Sequence, residues 1–274
     1  MLKPLKPAPK AYKNLDFLNS SNASTIRILA EFLEPMSRFE EEKIKETVVF
    51  FGSARTMAKN DALKKLKEIR SKYTKNNKVT AAGKRHIEEA EMHLMMSKYF
   101  EGAARLAFLI TKWASSLKQG NRFVICGGGG PGIMEAANKG AYQAGGVSIG
   151  LNISLPMEQY ANPYITPKLN FEFHYFFMRK LWFMHLAKGM VVFPGGFGTM
   201  DEMMEVLTLI QTKKVKKYVP MVVYGREYWD KVINFQGMVD HRMIHAEDLN
   251  FFHFADTPEE AFEFLKAEFT KHYL

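Results

Sequence analysis

Two kinds of apolar pattern follow one another along most of this chain, one typical of strands and the other of helices. Short, mostly apolar runs have the length and the β-forming side chains of buried strands; they are TVVFFGS (47–53), RFVIC (122–126), VSIGLNI (147–153), MVVF (190–193) and VPMVVYG (219–225). Other segments repeat apolar residues at about the 3.6-residue period of a helix; they are 83–118, a segment that ends near 144, 174–188, 199–212 and 257–269. This alternation predicts an α/β fold, a doubly wound, Rossmann-like parallel sheet with helices on both faces.

The first 45 residues lie outside this alternation. Residues 1 to about 20 predict a loosely ordered arm, and residues 21–45 have a helical pattern that Pro35 should end or kink. We therefore expect an N-terminal arm and helix over 1–45 and a Rossmann-like domain over 46–274. Within that domain, residues from about 58 to 85 predict a basic helical insertion.

Composition and charge restrict the class of protein. The chain has a net charge of +9 and one cysteine, Cys126, which suits a reducing compartment. Neither a signal peptide nor a membrane-spanning apolar run is evident, so we expect a cytoplasmic protein without a membrane partner. Residues 59–85 hold ten Lys or Arg against two acids, with little aromatic interleaving. A solvated face explains this segment better than an RNA-binding one, so we do not expect a nucleic-acid partner.

Three turns follow predicted strands, where doubly wound sheets bind their ligands. They are FGSAR (51–55), GGGGPGIME (127–135) and PGGFGTMDE (194–202). Glycine allows the backbone to approach a phosphate, and a following helix N-terminus offers free N–H groups. The second turn satisfies G-x-G-x-x-G, but no acid follows at about 20 residues, as the NAD fingerprint requires. No lysine-bearing phosphate loop occurs either, so we expect a small phosphate ligand and no cofactor.

Glu202 has two interpretations. Thr199 and Glu202 match the T-x-x-E pattern of a capping box, in which the glutamate only caps its own helix. The alternative depends on FHYFFMRKLWFMHL (173–186), which is apolar around nearly its whole circumference and therefore predicts a buried helix. A buried Arg179 needs an anion. The candidates are Glu202, Asp201, Glu158 or a ligand.

MRK followed by PGGFGTMDE resembles the paired signature of the LONELY GUY family, an Arg-Lys pair and then P-G-G-x-G-T-x-x-E. The FGSAR and GGGGPGIMEAANKGA turns are also similar to that family, and the resemblance extends from about 46 to 265. The phrases GLNISLPMEQ, FFMRK and VLTLIQT are similar to its longer bacterial branch. Members of the family are often labelled lysine decarboxylases, although nothing in this sequence indicates a pyridoxal phosphate site.

The resemblance implies hydrolysis of the N-glycosidic bond of a nucleoside 5′-monophosphate, AMP or an N6-modified AMP as in cytokinin biosynthesis, to free base and ribose 5-phosphate. Arg179 and Glu202 would be the catalytic pair. The expected substrate contacts are Ser53, Gly128, Gly129, Glu158, Lys180, Gly195, Gly196, Gly198, Thr199 and Asp201. The alternative is a non-catalytic nucleotide-binding protein of the same fold, which has little use for a carboxylate at position 202.

Two further expectations concern metal ions and subunits. His241 and His245 have a metal-capable spacing, but position 242, where a zinc protease has glutamate, is arginine. We expect surface histidines and no metal site. The 17 methionines and 22 phenylalanines leave apolar surface for a homo-oligomeric interface, a dimer or larger. The aromatic residues Phe171, Phe173, Tyr175 and Phe177 alternate at period two, which favours core or interface packing over base stacking.

Overall fold

The computed structural model of the protein describes residues 3–4, 7–75, 78–155 and 160–274. The main sheet has seven strands: β1 Thr47–Phe51, β2 Val124–Gly127, β3 Ser148–Ile153, β4 Asn170–Phe173, β5 Ala187–Val192, β6 Met221–Tyr224 and β7 His253–Ala255. The main helices are α1 Ser24–Glu41, α2 Lys59–Tyr73, α3 Ala81–Ser116, α4 Ile133–Gln143, α5 Phe176–His185, α6 Phe197–Gln211, α7 Arg226–Val232, α8 Phe235–Asp240 and α9 Pro258–Tyr273. A helical turn at Leu15–Leu18 and four 3₁₀ segments complete the helical part.

All neighbouring strands of the main sheet are parallel, in the order β4-β3-β2-β1-β5-β6-β7. The chain builds outward from β1 in one direction as far as β4, and then returns to the other side of β1 with β5. The gap between β1 and β5 is therefore the topological switch point, where ligands bind in such sheets. This topology confirms the predicted doubly wound, Rossmann-like fold.

Successive residues of the central strands point into two separate cores. In β1, Val49 and Phe51 pack with α1, α5 and α6, whereas Val48 and Phe50 pack with α3, α4 and α9. Strand side chains alternate between faces, so a strand buried on both sides must be apolar throughout. All five residues of β1 are buried, which explains why its sequence is a continuous apolar run.

Several element boundaries differ from the expectations. Helix α1 continues through Pro35 to Glu41, so of the two expectations, an end or a kink at Pro35, the end was wrong. Two strands at the edges of the sheet, β4 and β7, were not predicted. In β4 the alternation of Phe171 and Phe173 places both rings in the core, while Asn170 and Glu172 are exposed. The two-residue strands Thr74–Lys75 and Lys78–Val79 form a small antiparallel ribbon between α2 and α3.

Helix α5 is only partly buried. Met178, Trp182 and Phe183 face the core, but Phe176 and Phe177 are about half exposed. The expectation of a helix buried around its whole circumference was therefore wrong, because one apolar side of α5 lies on the surface. The expectation that Arg179 is buried holds, since its side chain is 14% exposed.

No helix within the described part of the chain is both long enough and apolar enough to cross a membrane.

Candidate functional site

Ser53, the second residue after β1, joins the three turns that the sequence singled out. Its N–H donates to the carbonyl of Pro194 (3.0 Å), and its own carbonyl accepts from the N–H of Ile133 (3.1 Å). Its hydroxyl accepts from the N–H of Arg55 (3.1 Å). The turns after β1, β2 and β5 therefore meet at one place, beyond the carboxyl ends of the central strands.

Helix α6 follows the turn after β5, and it begins earlier than the sequence pattern indicates. The helix begins at Phe197, with Gly196 as its N-cap and no side chain capping it. A Cβ at Gly195 would lie 2.1 Å from the Thr199 hydroxyl, whereas a Cβ at Gly196 or Gly198 would meet nothing within 4 Å. The space beside these two glycines and the uncapped N–H groups suits a phosphate. The Tyr228 hydroxyl donates to the carbonyl of Gly195 (2.7 Å) and holds the turn.

The turn after β2 is held from behind by buried asparagines. The Asn162 amide donates to the carbonyls of Gly129 (3.0 Å) and Gly130 (3.1 Å). Gly129 has a φ of +76°, and a Cβ there would lie 2.3 Å from the Asn152 amide oxygen. Gly129 is therefore needed for the close packing of the turn against β3.

Arg179 of α5 and Glu202 of α6 form a buried ion pair. Arg179 Nη2 donates to Glu202 Oε1 at 3.0 Å, and the two side chains are 14% and 9% exposed. Because α6 begins at Phe197, Thr199 is inside the helix and the capping-box interpretation of Glu202 does not hold. Arg179 Nε is buried and has no hydrogen-bond acceptor among the described residues.

Burial dominates the electrostatics of this pair. It raises the pKa of Glu202 to about 7, although the charges of Arg179 and Lys180 partly oppose the shift. Burial also lowers the pKa of Arg179, against the opposing effect of Glu202. A single hydrogen bond thus compensates the two charges only in part. A carboxyl that titrates near neutral pH in a cavity is typical of a functional site.

The pair and the turns line one cavity of about 1210 Å³. Eight of the predicted site residues are in its lining: Ser53, Gly128, Arg179, Gly195, Gly196, Gly198, Thr199 and Glu202. The structure thus brings together the expected catalytic pair and most of the expected phosphate contacts. Their roles stay predictions.

Three other predicted residues do not line this cavity. Gly129 packs against Asn152, as described above. Lys180 and Asp201 face a separate shallow depression on the outer side of α6, where Lys180 Nζ lies 2.8 Å from Asp201 and 2.9 Å from Glu205. Glu158 lies outside the described residues.

The cavity also has lining residues that the sequence analysis did not select. They are Arg55 and Met57 after β1, Lys65 of α2, Glu89, Met92, His93 and Met96 of α3, Met134 of α4, and Tyr228 of α7, together with further apolar and backbone neighbours. Arg55 was within a quoted turn, and Lys65 within the basic insertion. Nothing in the local sequence of Tyr228 indicates its contact with a turn more than thirty residues away.

His241 and His245 do not share a helix. Helix α8 ends at Asp240, and both histidines are exposed beyond it. His241 Nδ1 contacts the carbonyl of Gly237 at 2.8 Å. The helical spacing on which a metal site would depend is therefore not formed.

Together, the fold and the site define a doubly wound α/β protein with a phosphate-type turn and a buried Arg–Glu pair at the switch point. Residues 134–265 match the profile of the family described as "Possible lysine decarboxylase", and this match confirms the resemblance to the LONELY GUY family. This family match supports a nucleotide-related function. Among curated proteins, none matches the chain.

The solved structures that are similar to the chain include the following two. One is the protein TM1055, with 19% identity, a TM-score of 0.47 and coverage of 81% of this chain and 99% of that chain. The other is the Moco carrier protein from Chlamydomonas reinhardtii, with 18% identity, a TM-score of 0.46 and coverage of 83% and 99%. Neither likeness bears on what this chain binds.

Proposed function

We propose that the protein hydrolyses the N-glycosidic bond of a nucleoside 5′-monophosphate, AMP or an N6-modified AMP, to free base and ribose 5-phosphate. The observation that carries the proposal is the Arg179–Glu202 pair, buried in the same cavity as the turn at 194–199. The family resemblance implies the same reaction.

The chemistry of the pair supports this reaction. Breaking a ribosyl C–N bond builds positive charge at C1′, and a nearby carboxylate stabilises that charge or takes a proton from the attacking water. The raised pKa of Glu202, about 7, gives a carboxyl that exchanges a proton readily at neutral pH. In this proposal Glu202 acts at C1′, and Arg179 orients it and polarises the departing base.

The turn at 194–199 supplies the phosphate contacts in this proposal. Gly196 and Gly198 leave open space beside the start of α6, and the first N–H groups of that helix have no side-chain cap. A helix N-terminus stabilises an anion through these groups and through its dipole. The 5′-phosphate at this turn leaves the ribose close to Glu202, which lies on the second turn of the same helix.

The test is release of free base. The purified protein is incubated with AMP, GMP, CMP, UMP and N6-isopentenyl-AMP, and the free base is followed by chromatography. We expect release from an adenine nucleotide, and its loss in Glu202→Gln while AMP still raises the melting temperature of that variant. A fully active Glu202→Gln variant would contradict the catalytic assignment.

The second candidate is a non-catalytic nucleotide-binding protein. The features that favour it are the phosphate-type turn and the large cavity, which a sensor needs as much as an enzyme does. No base release from any nucleotide, with AMP still stabilising the wild-type protein, would establish this alternative.

A homo-oligomer is also part of the proposal. Phe176, Phe177 and Leu181 of α5 and Phe197 of α6 are 40–93% exposed, so apolar side chains lie on the outer sides of two neighbouring helices. Exposed apolar patches of this kind mark interaction surfaces. We expect light scattering to give the mass of a dimer or a larger assembly. A monomer at micromolar concentration would contradict this part of the proposal.

A further inference from the structure

The cavity has two walls that differ in origin. One wall consists of the turns after the central strands and of the Arg179–Glu202 pair. The other comes from Lys65 of α2, within the helical insertion, and from Glu89, Met92, His93 and Met96 of α3, which follow the insertion. We refer to α2 and residues 81–96 of α3 together as the cap. The basic insertion is thus part of the site, which its sequence did not show.

Two cations in the lining have no counterion among the described residues. The side chains of Arg55 and Lys65 make no ion pair or hydrogen bond with any residue in the described part of the chain. Lys65 is half-buried, although it belongs to a helix whose other lysines are mostly exposed. A cation that faces a cavity without a carboxylate beside it attracts an anionic ligand.

The acids of the cavity do not neutralise these two cations. Glu202 is already paired with Arg179. Glu89 is 68% exposed, and its Oε1 lies 4.0 Å from His93 Nε2, on the next turn of the same helix. Arg55 and Lys65 therefore represent positive charge that neither the catalytic pair nor the cap offsets.

The cavity is large for a small-molecule site. Its volume is about 1210 Å³, above the range of roughly 300–1,000 Å³ that small-molecule sites usually have. The methionines Met57, Met92, Met96 and Met134 line much of the remaining space. Methionine is flexible and fits ligands of different shape, so this surface does not restrict the cavity to the smallest nucleotide.

We propose that Arg55 and Lys65 form a second anion subsite, which binds a second phosphoryl group of the nucleotide ligand. The proposal rests on the proposed function only in placing the first phosphate at the turn of residues 194–199. The second group is either the β-phosphate of a nucleoside 5′-diphosphate or a phosphate on the 3′-hydroxyl. Both place a further dianion in the same cavity, and both would select a doubly phosphorylated nucleotide over AMP.

The experiment measures binding in the Glu202→Gln background, in which the ligand is not consumed. Isothermal titration is carried out with AMP, ADP and adenosine 3′,5′-bisphosphate. We expect ADP or the bisphosphate to bind at least tenfold more tightly than AMP, and the preferred one of the two identifies the position of the second phosphate. Adding Lys65→Gln or Arg55→Gln removes most of this gain and changes the affinity for AMP by less than twofold.

Two controls accompany these variants. Lys67→Gln removes an exposed lysine of the same helix that does not line the cavity, and we expect it to leave all three affinities unchanged. Lys65→Arg keeps the charge and should preserve the gain. Equal affinity for the three nucleotides, or equal weakening of AMP and ADP by Lys65→Gln, would overturn the second subsite.

The two proposals fail separately. Base release by the wild-type protein without any gain from a second phosphate rejects the subsite and leaves the hydrolase. The gain without base release rejects the hydrolase and leaves the subsite, now in a nucleotide-binding protein. If none of the three nucleotides binds, both proposals are rejected.

Discussion

In the described part of the chain, two arginine–glutamate pairs have similarly low solvent exposure, and they lie at opposite ends of the central strands. Arg122 and Glu46 are 11% and 12% exposed, and Arg179 and Glu202 are 14% and 9% exposed. Glu46 directly precedes β1, so the first pair lies at the amino end of the sheet. The second pair lies at the carboxyl end, beside the cavity.

The two pairs differ in how completely their charges are compensated. Arg122 makes two hydrogen bonds to the Glu46 carboxylate, of 2.6 and 2.8 Å, and another to the carbonyl of Tyr273. Its hydrogen bond with Glu46 raises the pKa of Arg122. Arg179 makes one hydrogen bond to Glu202, and burial lowers its pKa.

We propose that this difference separates a structural pair from a functional one. In a bidentate pair whose arginine has a further acceptor, the charges and the hydrogen-bonding groups are satisfied within the protein, so the pair requires no ligand. The Arg179–Glu202 pair keeps a buried Nε without an acceptor among the described residues, and its carboxyl has a pKa of about 7. We infer that the second pair is held incomplete for a ligand, and the following predictions test that contrast.

The largest expected effect is on turnover. Glu202→Gln should lower kcat by about 10³-fold, because a positioned carboxylate contributes roughly that much to proton transfer and charge stabilisation. Glu46→Gln is the matched control, the same chemical change in the other buried pair. Base release per folded molecule should be unchanged in Glu46→Gln, and a comparable loss there would show that the two pairs are not functionally distinct.

The next largest effect is on stability. Here the change in the Arg122–Glu46 pair should have the greater effect, the opposite of the order for turnover. Glu46→Gln leaves the Arg122 charge without its bidentate partner and should lower the free energy of unfolding by about 3 kcal/mol. Glu202→Gln should lower the free energy of unfolding less, because burial already disfavours the charged form of the carboxyl that this variant removes. Urea denaturation of both variants at pH 7 measures this. Equal losses would contradict the contrast.

Much of this fold is evident in the sequence because its central strands are buried on both faces. Such strands must be apolar throughout, and β1 and β5 are visible for that reason. The edge strands Asn170–Phe173 and His253–Ala255 were missed because they are short and include exposed or half-buried residues. Their apolar content does not separate them from the neighbouring loops and helices.

The site was predictable only where a motif spans it. The signature brings Arg179 and Glu202 together, and the structure pairs them at 3.0 Å. The beginning of α6 was misplaced, because T-x-x-E is a capping pattern and the true N-cap, Gly196, has no side chain by which to recognise it. The position of Lys65 in the cavity depends on the tertiary packing of α2 against α3, and the local sequence pattern does not predict that packing.

A smaller effect should appear in the pH dependence of stability. Folding raises the pKa of Glu202 to about 7. The carboxyl therefore contributes most to stability at a pH below its pKa in the unfolded chain, and this contribution is lost as the pH rises through about 7. Between pH 5 and pH 8 the wild-type protein should lose stability relative to Glu202→Gln, by at most about 3 kcal/mol. Denaturant unfolding at both pH values measures the difference. No change, or a change of opposite sign, would show that burial does not control this carboxyl.

The smallest effect is expected for a change at Asp201, which directly precedes Glu202 in the sequence. Asp201 is 56% exposed and pairs with Lys180 in the depression outside the cavity, so Asp201→Asn should cost less than about 1 kcal/mol of stability. The family resemblance nevertheless predicts that Asp201 contacts the substrate. Titration of AMP in the Glu202→Gln background, with and without Asp201→Asn, decides between the resemblance and the position in the structure. Its position predicts a change in affinity below about threefold, since a charge in high-dielectric surroundings contributes little. A tenfold loss would mean that the ligand extends around the start of α6, and that the cavity and the outer depression act as one site.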